Sequence, residues 1–399
     1  MRRFLTTREV PGSPAGRGKP VRCVAVLAAS VATGVLVAAC TSSPGGIPAS
    51  PSAPATTASA SHPVAVSSPP GVFGRPLLWP QVAATATGLY VAWQVSRPGS
   101  AVRSELARVD AASGRVEAAR YLGAAFEQAV LAAGALWVAT VTGSTPAAQT
   151  LLRLNPDTLE VTGRWRVGTG GWQRGVAQVL VVAGGGLWVT GGNRLLHLSL
   201  PGGTTTASIA LPGAASSDLS ANAAGTVLVV GEADSGGRGA VQRRDPVTGA
   251  LLASFPVMGV SAPVVAGPVG SAVWVSESSG NMGYVQRLDA ATMTDEGSAC
   301  REGGITSTCV EGTNDVTALL ADGLLWVTQI AGGPARNYCA DPVTGRAIAP
   351  VELPQPAQDG VLAITPDRIF YAAPGPRADQ YLRQEAIPGA CRPASTSRR

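Results

Sequence analysis

A short apolar strand motif recurs seven times along this 399-residue chain, and a turn recurs beside it. The motifs are Leu89-Tyr90-Val91, Leu136-Trp137-Val138, Leu187-Trp188-Val189, Val227-Leu228-Val229, Val273-Trp274-Val275, Leu325-Trp326-Val327 and Ile369-Phe370-Tyr371. The turns begin at Asp110, Asn155, Leu200, Asp245, Asp289 and Asp341, so their spacings are 45, 45, 45, 44 and 52 residues. Repeats of this length are typical of β-propellers, in which each repeat folds into one four-stranded blade. We therefore predict an all-β fold, a seven-bladed β-propeller of four-stranded antiparallel blades.

One repeat shows the expected blade in detail. Its strands are predicted at Val130–Ala133, Leu136–Thr140, Leu151–Leu154 and Val161–Val167. Between the last two lies Asn155-Pro156-Asp157-Thr158, with Asn first and Pro second, as type I turns prefer. Neighbouring blades cover both faces of each blade, so an aromatic residue at a constant strand position fills the space between blades. The recurring Trp residues are therefore interpreted as core and not as a ligand cage.

The seventh repeat lacks a clear outer strand, because Pro388, Cys391 and Pro393 interrupt it. A propeller can borrow that strand from the other end of the chain. We expect residues near Val64–Phe73 to supply it and close the ring.

The Leu-Trp-Val strands and the Asp-Pro-x-Thr-Gly turns, taken together, resemble the YVTN-type and quinoprotein-like propeller superfamily over roughly residues 75–390. The resemblance implies a propeller and leaves the function open. Quinoprotein dehydrogenases also carry a Trp downstream of this turn. No Trp follows Asp245 or Asp341 at a suitable spacing, so no quinone and no other cofactor is expected.

Residues 1–39 read as a bacterial lipoprotein signal peptide. Six basic residues precede the uninterrupted small and apolar stretch Val24–Ala39, which is the length of a signal-peptide core. The stretch ends in Val37-Ala38-Ala39-Cys40, which resembles a lipobox and would make Cys40 the lipidated N-terminus. The alternative is ordinary secretory cleavage that happens to fall beside a cysteine. The lipobox predicts a chain anchored at the extracytoplasmic face of the plasma membrane.

Residues 40–70 are predicted to be a disordered tether, because a Ser/Pro/Ala/Thr tract buries too little apolar surface to fold. The propeller is expected at 71–393, with a disordered tail at 394–399. Past residue 39 the chain has 24 basic and 24 acidic residues, so its formal charge is zero. No basic run remains, and we expect no nucleic-acid partner.

Four cysteines fall in the predicted propeller: Cys300, Cys309, Cys339 and Cys391. An even number in an exported domain indicates two disulfides, and three pairings are possible. We favour Cys300–Cys309 and Cys339–Cys391. The chain has two His residues and no Cys-x-x-Cys, so a metal site is not expected.

Catalytic patterns are poorly represented. No Gly-x-Ser-x-Gly is present, and a Ser-His-Asp set in the propeller would have to use His197. His197 lies in an apolar strand, where we interpret it as a structural histidine.

A polar residue recurs upstream of each second strand. This channel-mouth series is Gln81, Gln128, Gln178, Asp218, Asp315 and Asp359, with Pro263 as the exception. In a propeller these positions would ring one mouth of the central channel, where ligands can bind. The competing interpretation is that the series only satisfies water and backbone groups at the strand starts.

Two functions follow. The favoured one is a binding or scaffolding module, expected to be a monomer, for a protein, peptide or glycan, with Ser298–Asn314 as a recognition loop. The alternative is an extracytoplasmic enzyme, a lyase or a quinoprotein-like dehydrogenase, with its site at the channel. We favour the binding function, because the sequence lacks the His, metal or cofactor residues that such enzymes usually need.

Overall fold

The structure is a computed structural model that describes residues 71–392, except 75, 86–87, 96–101, 144–147, 170–178, 212–213, 235–237, 259–263, 280–281, 298–314, 322, 331–335, 355–360 and 376–378. The described chain is almost entirely β. Its strands are β1 Pro76–Thr85, β2 Gly88–Gln94, β3 Ser104–Val109, β4 Val116–Tyr121, β5 Ala125–Ala132, β6 Ala135–Thr142, β7 Ala148–Leu154, β8 Val161–Thr169, β9 Leu180–Ala183, β10 Gly186–Gly191, β11 Arg194–Ser199, β12 Thr205–Ala210, β13 Ala214–Ala221, β14 Leu228–Asp234, β15 Arg238–Arg244, β16 Leu251–Met258, β17 Val264–Val269, β18 Ala272–Ser279, β19 Met282–Asp289, β20 Asp295–Gly297, β21 Asp315–Ala321, β22 Leu324–Ile330, β23 Arg336–Ala340, β24 Ala347–Val351, β25 Val361–Ile364, β26 Arg368–Pro374 and β27 Asp379–Ala386. A 3-10 helix, Gly389–Cys391, follows β27.

The strands form seven antiparallel blades, which confirms the predicted β-propeller. Five blades are separate four-stranded sheets, β5–β8, β9–β12, β13–β16, β17–β20 and β21–β24. The other two share one sheet, in the order β25-β26-β27-β1-β2-β3-β4. The innermost strands β1, β5, β9, β13, β17, β21 and β25 each contact the next, and β25 contacts β1. The blades are numbered 1 to 7 from the one that contains β2.

Strand β1 closes the ring. Its first part, Pro76–Leu78, pairs with β27 and is the outer strand of blade 7. Its second part, Gln81–Thr85, pairs with β2 and is the inner strand of blade 1. The prediction that residues near Val64–Phe73 supply the closing strand was wrong. Phe73 stacks on Phe370 instead, with ring centroids 6.0 Å apart.

The core consists of layers between blades. Trp137, Trp188 and Trp274 are completely buried, which confirms their interpretation as core. Residues on either side of each aromatic face the preceding blade, while the aromatic faces the following one. In blade 4 the corresponding residue is Val229, because it pairs with Arg243, two positions before the turn. The motif there is therefore Leu228-Val229-Val230, one residue later than expected.

The recurring turn is held by its first side chain. Oδ1 of Asp245 accepts hydrogen bonds from the backbone N–H groups of Val247 and Thr248 and from the Thr248 hydroxyl. These bonds hold the pKa of the Asp245 carboxyl below its usual value. Asp289 and Asp341 make the same set. In blade 3 the turn begins at Ser199 and not at Leu200, because Ser199 O accepts the closing bond from Gly203 N.

The turns also join neighbouring blades. Three aromatic side chains donate to the carbonyl of the proline at the second turn position of the next blade: Tyr90 Oη to Pro156 O (3.1 Å), Trp188 Nε1 to Pro246 O (2.8 Å) and Trp274 Nε1 to Pro342 O (2.7 Å). Proline leaves its carbonyl free while fixing the turn, so the acceptor is held in place. We call these bonds blade docks.

Where the next turn has no proline, a third-strand residue makes the dock. Arg243 Nη1 donates to Ala291 O at 2.8 Å, and Gln384 Nε2 donates to Ala112 O at 3.0 Å. Both acceptors are the third residue of their turn. Both donors pair with the residue at the aromatic position of their own blade, Val229 and Phe370, which have no polar hydrogen to donate.

Blade 6 uses a covalent dock. Cys339 occupies the third-strand position of Arg243 and Gln384, and it is bonded to Cys391 in the 3-10 helix that follows blade 7. Both sulfurs belong to fully buried residues. The predicted Cys339–Cys391 disulfide is thus confirmed, whereas Cys300 and Cys309 lie outside the described residues.

Replacing Trp188 by Phe removes a blade dock and leaves the Pro246 carbonyl without its donor. We expect the free energy of unfolding to fall by about 2 kcal/mol. Trp326→Phe is the matched control, because Trp326 Nε1 donates at 3.3 Å to Ala321 O of its own blade. Urea unfolding of both variants measures the difference. Equal losses would show that the bond between blades adds nothing beyond a bond within one blade.

Removing the disulfide with Cys339→Ala and Cys391→Ala together should lower the free energy of unfolding by about 3–4 kcal/mol, since the bond closes a 52-residue separation. Guanidinium unfolding measures it. The unchanged protein unfolded with a reductant should match the double variant, and a midpoint insensitive to reductant would contradict the assignment.

Candidate functional site

The propeller has two different ends. Strands alternate in direction, so connections from first to second and from third to fourth strands share one end, here called the turn face. The other connections share the opposite end, the loop face, where the inner strands begin. Connections on the turn face are uniform, since most hairpins have two residues and the recurring turns have five or six. On the loop face they range from Gly192–Asn193 to the segment 298–314. Variable connections on a constant frame are where binding residues concentrate.

Two members of the channel-mouth series join adjacent inner strands at the loop face. Gln128 Oε1, in blade 2, accepts from Val179 N at 2.6 Å and from Leu180 N at 2.8 Å, in blade 3. Asp218 of blade 4 is completely buried, and its Oδ2 accepts from Val265 N of blade 5 at 2.6 Å. These oxygens satisfy N–H groups that the innermost strands would otherwise direct at the channel.

The other four members of the channel-mouth series are Gln81, Gln178, Asp315 and Asp359. Gln81 belongs to blade 1, and its Oε1 is buried without a hydrogen-bond partner. Asp315 begins β21, and its side chain lies outside the described residues. Gln178 and Asp359 also lie outside them, as do Cys40 and the segment Ser298–Asn314. The structure therefore places Gln81, Gln128 and Asp218 at equivalent starts of inner strands.

His197 fits the structural interpretation. It is 6% exposed and stacks on Trp188 with ring centroids 4.5 Å apart, while Nδ1 lies 2.8 Å from Thr206 Oγ1. Burial lowers the pKa of His197 below its ordinary value, and the Ala183 carbonyl opposes this only partly. The stacked imidazole packs against Trp188 and so supports its dock.

Blade 4 carries a polar cluster that no pattern in the sequence indicated. Gln242 Nε2 donates to Glu232 Oε1, Arg244 Nε donates to Gln242 Oε1 at 2.9 Å, and Arg244 Nη1 donates to Gly249 O. Desolvation raises the pKa of Glu232, although the charge of Arg244 opposes the shift. Glu232 and Gln242 come together because β14 and β15 pair in this register, which the sequence does not indicate. The cluster links the third strand of blade 4 to its own turn.

A cavity of about 340 Å³ opens on the turn face beside blade 1. Arg108, Asp110, Glu117 and Thr365 contribute its polar lining. Arg108 is already paired with Glu117, at 3.2 Å, and with Asp157. The one cation of this lining is thus already held by carboxylates, and the lining has one more acidic side chain than basic ones.

Within the described ranges, no three His, Cys, Asp or Glu residues are grouped to hold a metal ion. The same part of the chain contains no helix that is long and apolar enough to cross a membrane.

Comparison with known proteins found solved structures that are similar to this chain at low sequence identity. No family model matches the sequence, and no curated protein matches it. Similar structures include "KlHsv2 with loop 6CD replaced by a Gly-Ser linker" (13% identity, TM-score 0.41, 65% of this chain and 78% of that one). A europium-containing methanol dehydrogenase has 10% identity and a TM-score of 0.44, over 75% and 76%. The Dos1 propeller has 12% identity and a TM-score of 0.43, over 74% and 75%.

Adjacent blades offer a matched test of the channel-mouth contacts. Gln128→Ala should lower the free energy of unfolding by about 1–3 kcal/mol, because two backbone N–H groups lose their acceptor. Gln81→Ala removes an oxygen that has no donor, so stability should stay within about 0.5 kcal/mol or rise. Urea unfolding compares the two. A larger loss for Gln81→Ala would overturn the assigned roles.

Proposed function

We propose that this protein is a binding or scaffolding module for a protein, peptide or glycan, held at the extracytoplasmic face of the plasma membrane by a lipid on Cys40. Residues 40–70 would act as its tether. The ligand would lie on the loop face, over the channel mouth, with no cofactor. A YVTN-type propeller of the bacterial envelope fits this role.

The contrast between the two faces carries the proposal. On the turn face, blade docks and side-chain-capped turns repeat from blade to blade and make a stiff frame. On the loop face, Gln128 and Asp218 fix the inner strands while the connections above differ in length. A rigid frame that presents variable connections limits the ordering cost of binding.

The segment 298–314 is the longest connection on the loop face, and it would be the recognition loop. The rest of the channel-mouth series, including Asp315 and Asp359, would line the surface below it. No described constellation supports the enzyme alternative specifically, since Glu232 is bonded within its own blade.

Replacing residues 301–308 of the full-length protein by a Gly-Ser segment of equal length should reduce capture of envelope components at least tenfold. Val247→Ala with Val343→Ala is the control, because both residues are exposed on the turn face. Cross-linking in cells followed by quantitative mass spectrometry measures capture. Unchanged capture by the loop variant, or turnover of a substrate by the purified protein, would contradict the proposal.

Lipid attachment has its own test. In bacteria that express the full chain, Cys40→Ala should abolish labelling by an alkyne fatty acid and release the protein from the membrane fraction. Cys391→Ala is the control and should remain labelled. Retained label in Cys40→Ala would exclude Cys40 as the acceptor.

A further inference from the structure

The outer strand of blade 2 carries two arginines on one face. Arg164 and Arg166 alternate with Trp165 along β8, and both arginines are exposed. Trp165 faces blade 3, where it stacks on Trp137 with ring centroids 5.0 Å apart. Arg164 pairs with Leu152 of β7, which packs in the layer between blades 1 and 2. Since side chains alternate along a strand, both arginines lie on the face opposite to Trp165, side by side at the rim of the propeller.

These two guanidinium groups are in no ion pair that the described residues form. Arg108, at the nearest turn, is by contrast paired with both Glu117 and Asp157. Strand β8 itself contains no acidic residue, and Glu160 lies in the turn before it. The exposed face of β8 therefore carries two uncompensated positive charges.

The outer edge of this strand is open in the part of the chain that the structure describes. β8 is the last strand of its sheet. Its regular pairing with β7 covers Gly163–Arg166, between two register shifts, and no other described backbone group bonds to this stretch. Backbone N–H and C=O groups of an outer strand that do not bond to the inner neighbour point away from the sheet. We call Gly163–Arg166 the β8 edge.

The other described outer strands differ from β8. Pro256 interrupts the edge of β16 and Pro350 that of β24, and proline has no N–H to offer a further strand. β20 has three residues, and β12 has no charged residue. β4 carries Glu117 and Arg120, whose charges are opposite. Among these strands β8 alone combines an edge without proline and two exposed charges of one sign.

We propose that the β8 edge binds an extended acidic peptide segment of a partner protein, which adds to blade 2 as a fifth strand. Main-chain hydrogen bonds hold such a peptide on a sheet edge. Alternate residues of the peptide then lie opposite Arg164 and Arg166, with Cβ atoms about 5 Å apart. Carboxylates at those positions accept charge-assisted hydrogen bonds from the two guanidinium groups. This site lies at the rim of blade 2 and goes beyond the loop-face binding proposed above.

The same arginines exclude a second copy of this chain as the occupant. An antiparallel pair of two β8 strands would bring four guanidinium groups onto one face, and like charges on neighbouring strands are destabilising. Charges at an edge are one way in which proteins avoid pairing with themselves. An acidic segment instead gains attraction from the same two side chains, so the edge selects its partner by charge.

The first test measures binding of labelled seven-residue peptides to the full-length protein in non-ionic detergent by fluorescence anisotropy at low salt. A peptide in which Glu alternates with Thr and Val should bind, whereas its Lys counterpart should not. Arg164→Gln with Arg166→Gln should weaken binding about tenfold, because both charged contacts are lost. Arg336→Gln with Arg346→Gln is the matched control, since these exposed arginines are also in no described ion pair and the change in net charge is equal.

The second test separates strand addition from attraction between charges alone. Two acidic peptides carry N-methyl groups on the odd-numbered or on the even-numbered residues. In an added strand only alternate N–H groups face the sheet, so one methylated peptide should lose binding and the other should keep it. Arg164→Glu with Arg166→Glu should reverse the preference, binding the Lys peptide and rejecting the Glu peptide.

The proposal is overturned if the alternating Glu peptide does not bind, or if the arginine variant and its control lose affinity equally. Binding that survives both patterns of N-methylation would show a charged surface without strand addition and would also overturn it. The variant with residues 301–308 replaced should bind the acidic peptide as the unchanged protein does. The β8 edge and the loop-face function can therefore fail separately, because each has its own variant and its own readout.

Discussion

The structure depends on one contact that recurs at five of the seven described blade interfaces, the hydrogen bond from a side chain of one blade to a turn carbonyl of the next. After blade 6 the Cys339–Cys391 disulfide takes its place, and in blade 2 Trp137 Nε1 donates to Ala132 O of its own blade. A blade cannot bury its apolar faces alone, so its stability comes from its neighbours. Apolar packing brings blades together without fixing their angle. A directed hydrogen bond to a carbonyl in a rigid turn does fix it, and it satisfies a group that burial would otherwise penalise. The donor varies between aromatic, guanidinium and amide, but the acceptor is always in the same turn.

The fifth position of the turn shows how each interface adapts to its donor. In the turn that receives Trp188 this residue is Gly249, and a Cβ there would lie 2.7 Å from the indole ring. Where the facing residue is Val229, the position is Met293, which is buried at a positive φ of 57° and fills the space. In these two turns the size of the fifth residue complements the size of the residue that it faces.

The repeat period was enough to predict the propeller, because four strands and their turns need a nearly fixed number of residues. What failed were the positions that the period does not determine. The blade 4 motif slipped by one residue, since Val229 offers no aromatic marker and neighbouring residues are equally apolar. The closing strand was misplaced because a single strand, β1, serves two blades. The polar residues at the strand starts were predicted from their spacing, but that Gln128 and Asp218 bond the next blade required coordinates. Prolines at the second turn position could have revealed the docks, since each described proline dock faces a tyrosine or tryptophan.

A frame locked at one end can tolerate strain at the other. The docks and capped turns lie on the turn face, so the crossing from blade 7 to blade 1 can hold Trp79 in an unfavourable conformation without opening the ring. Pairing of Pro76–Leu78 with β27, together with the Phe73–Phe370 stack, holds the chain before that crossing. Pairing of Gln81–Thr85 with β2 holds it after the crossing. Glycine at residue 79 would relieve the strain, since glycine adopts a positive φ without a steric penalty. Trp79 is 48% exposed, so its side chain adds less burial to the fold than Trp137, Trp188 or Trp274, which are completely buried.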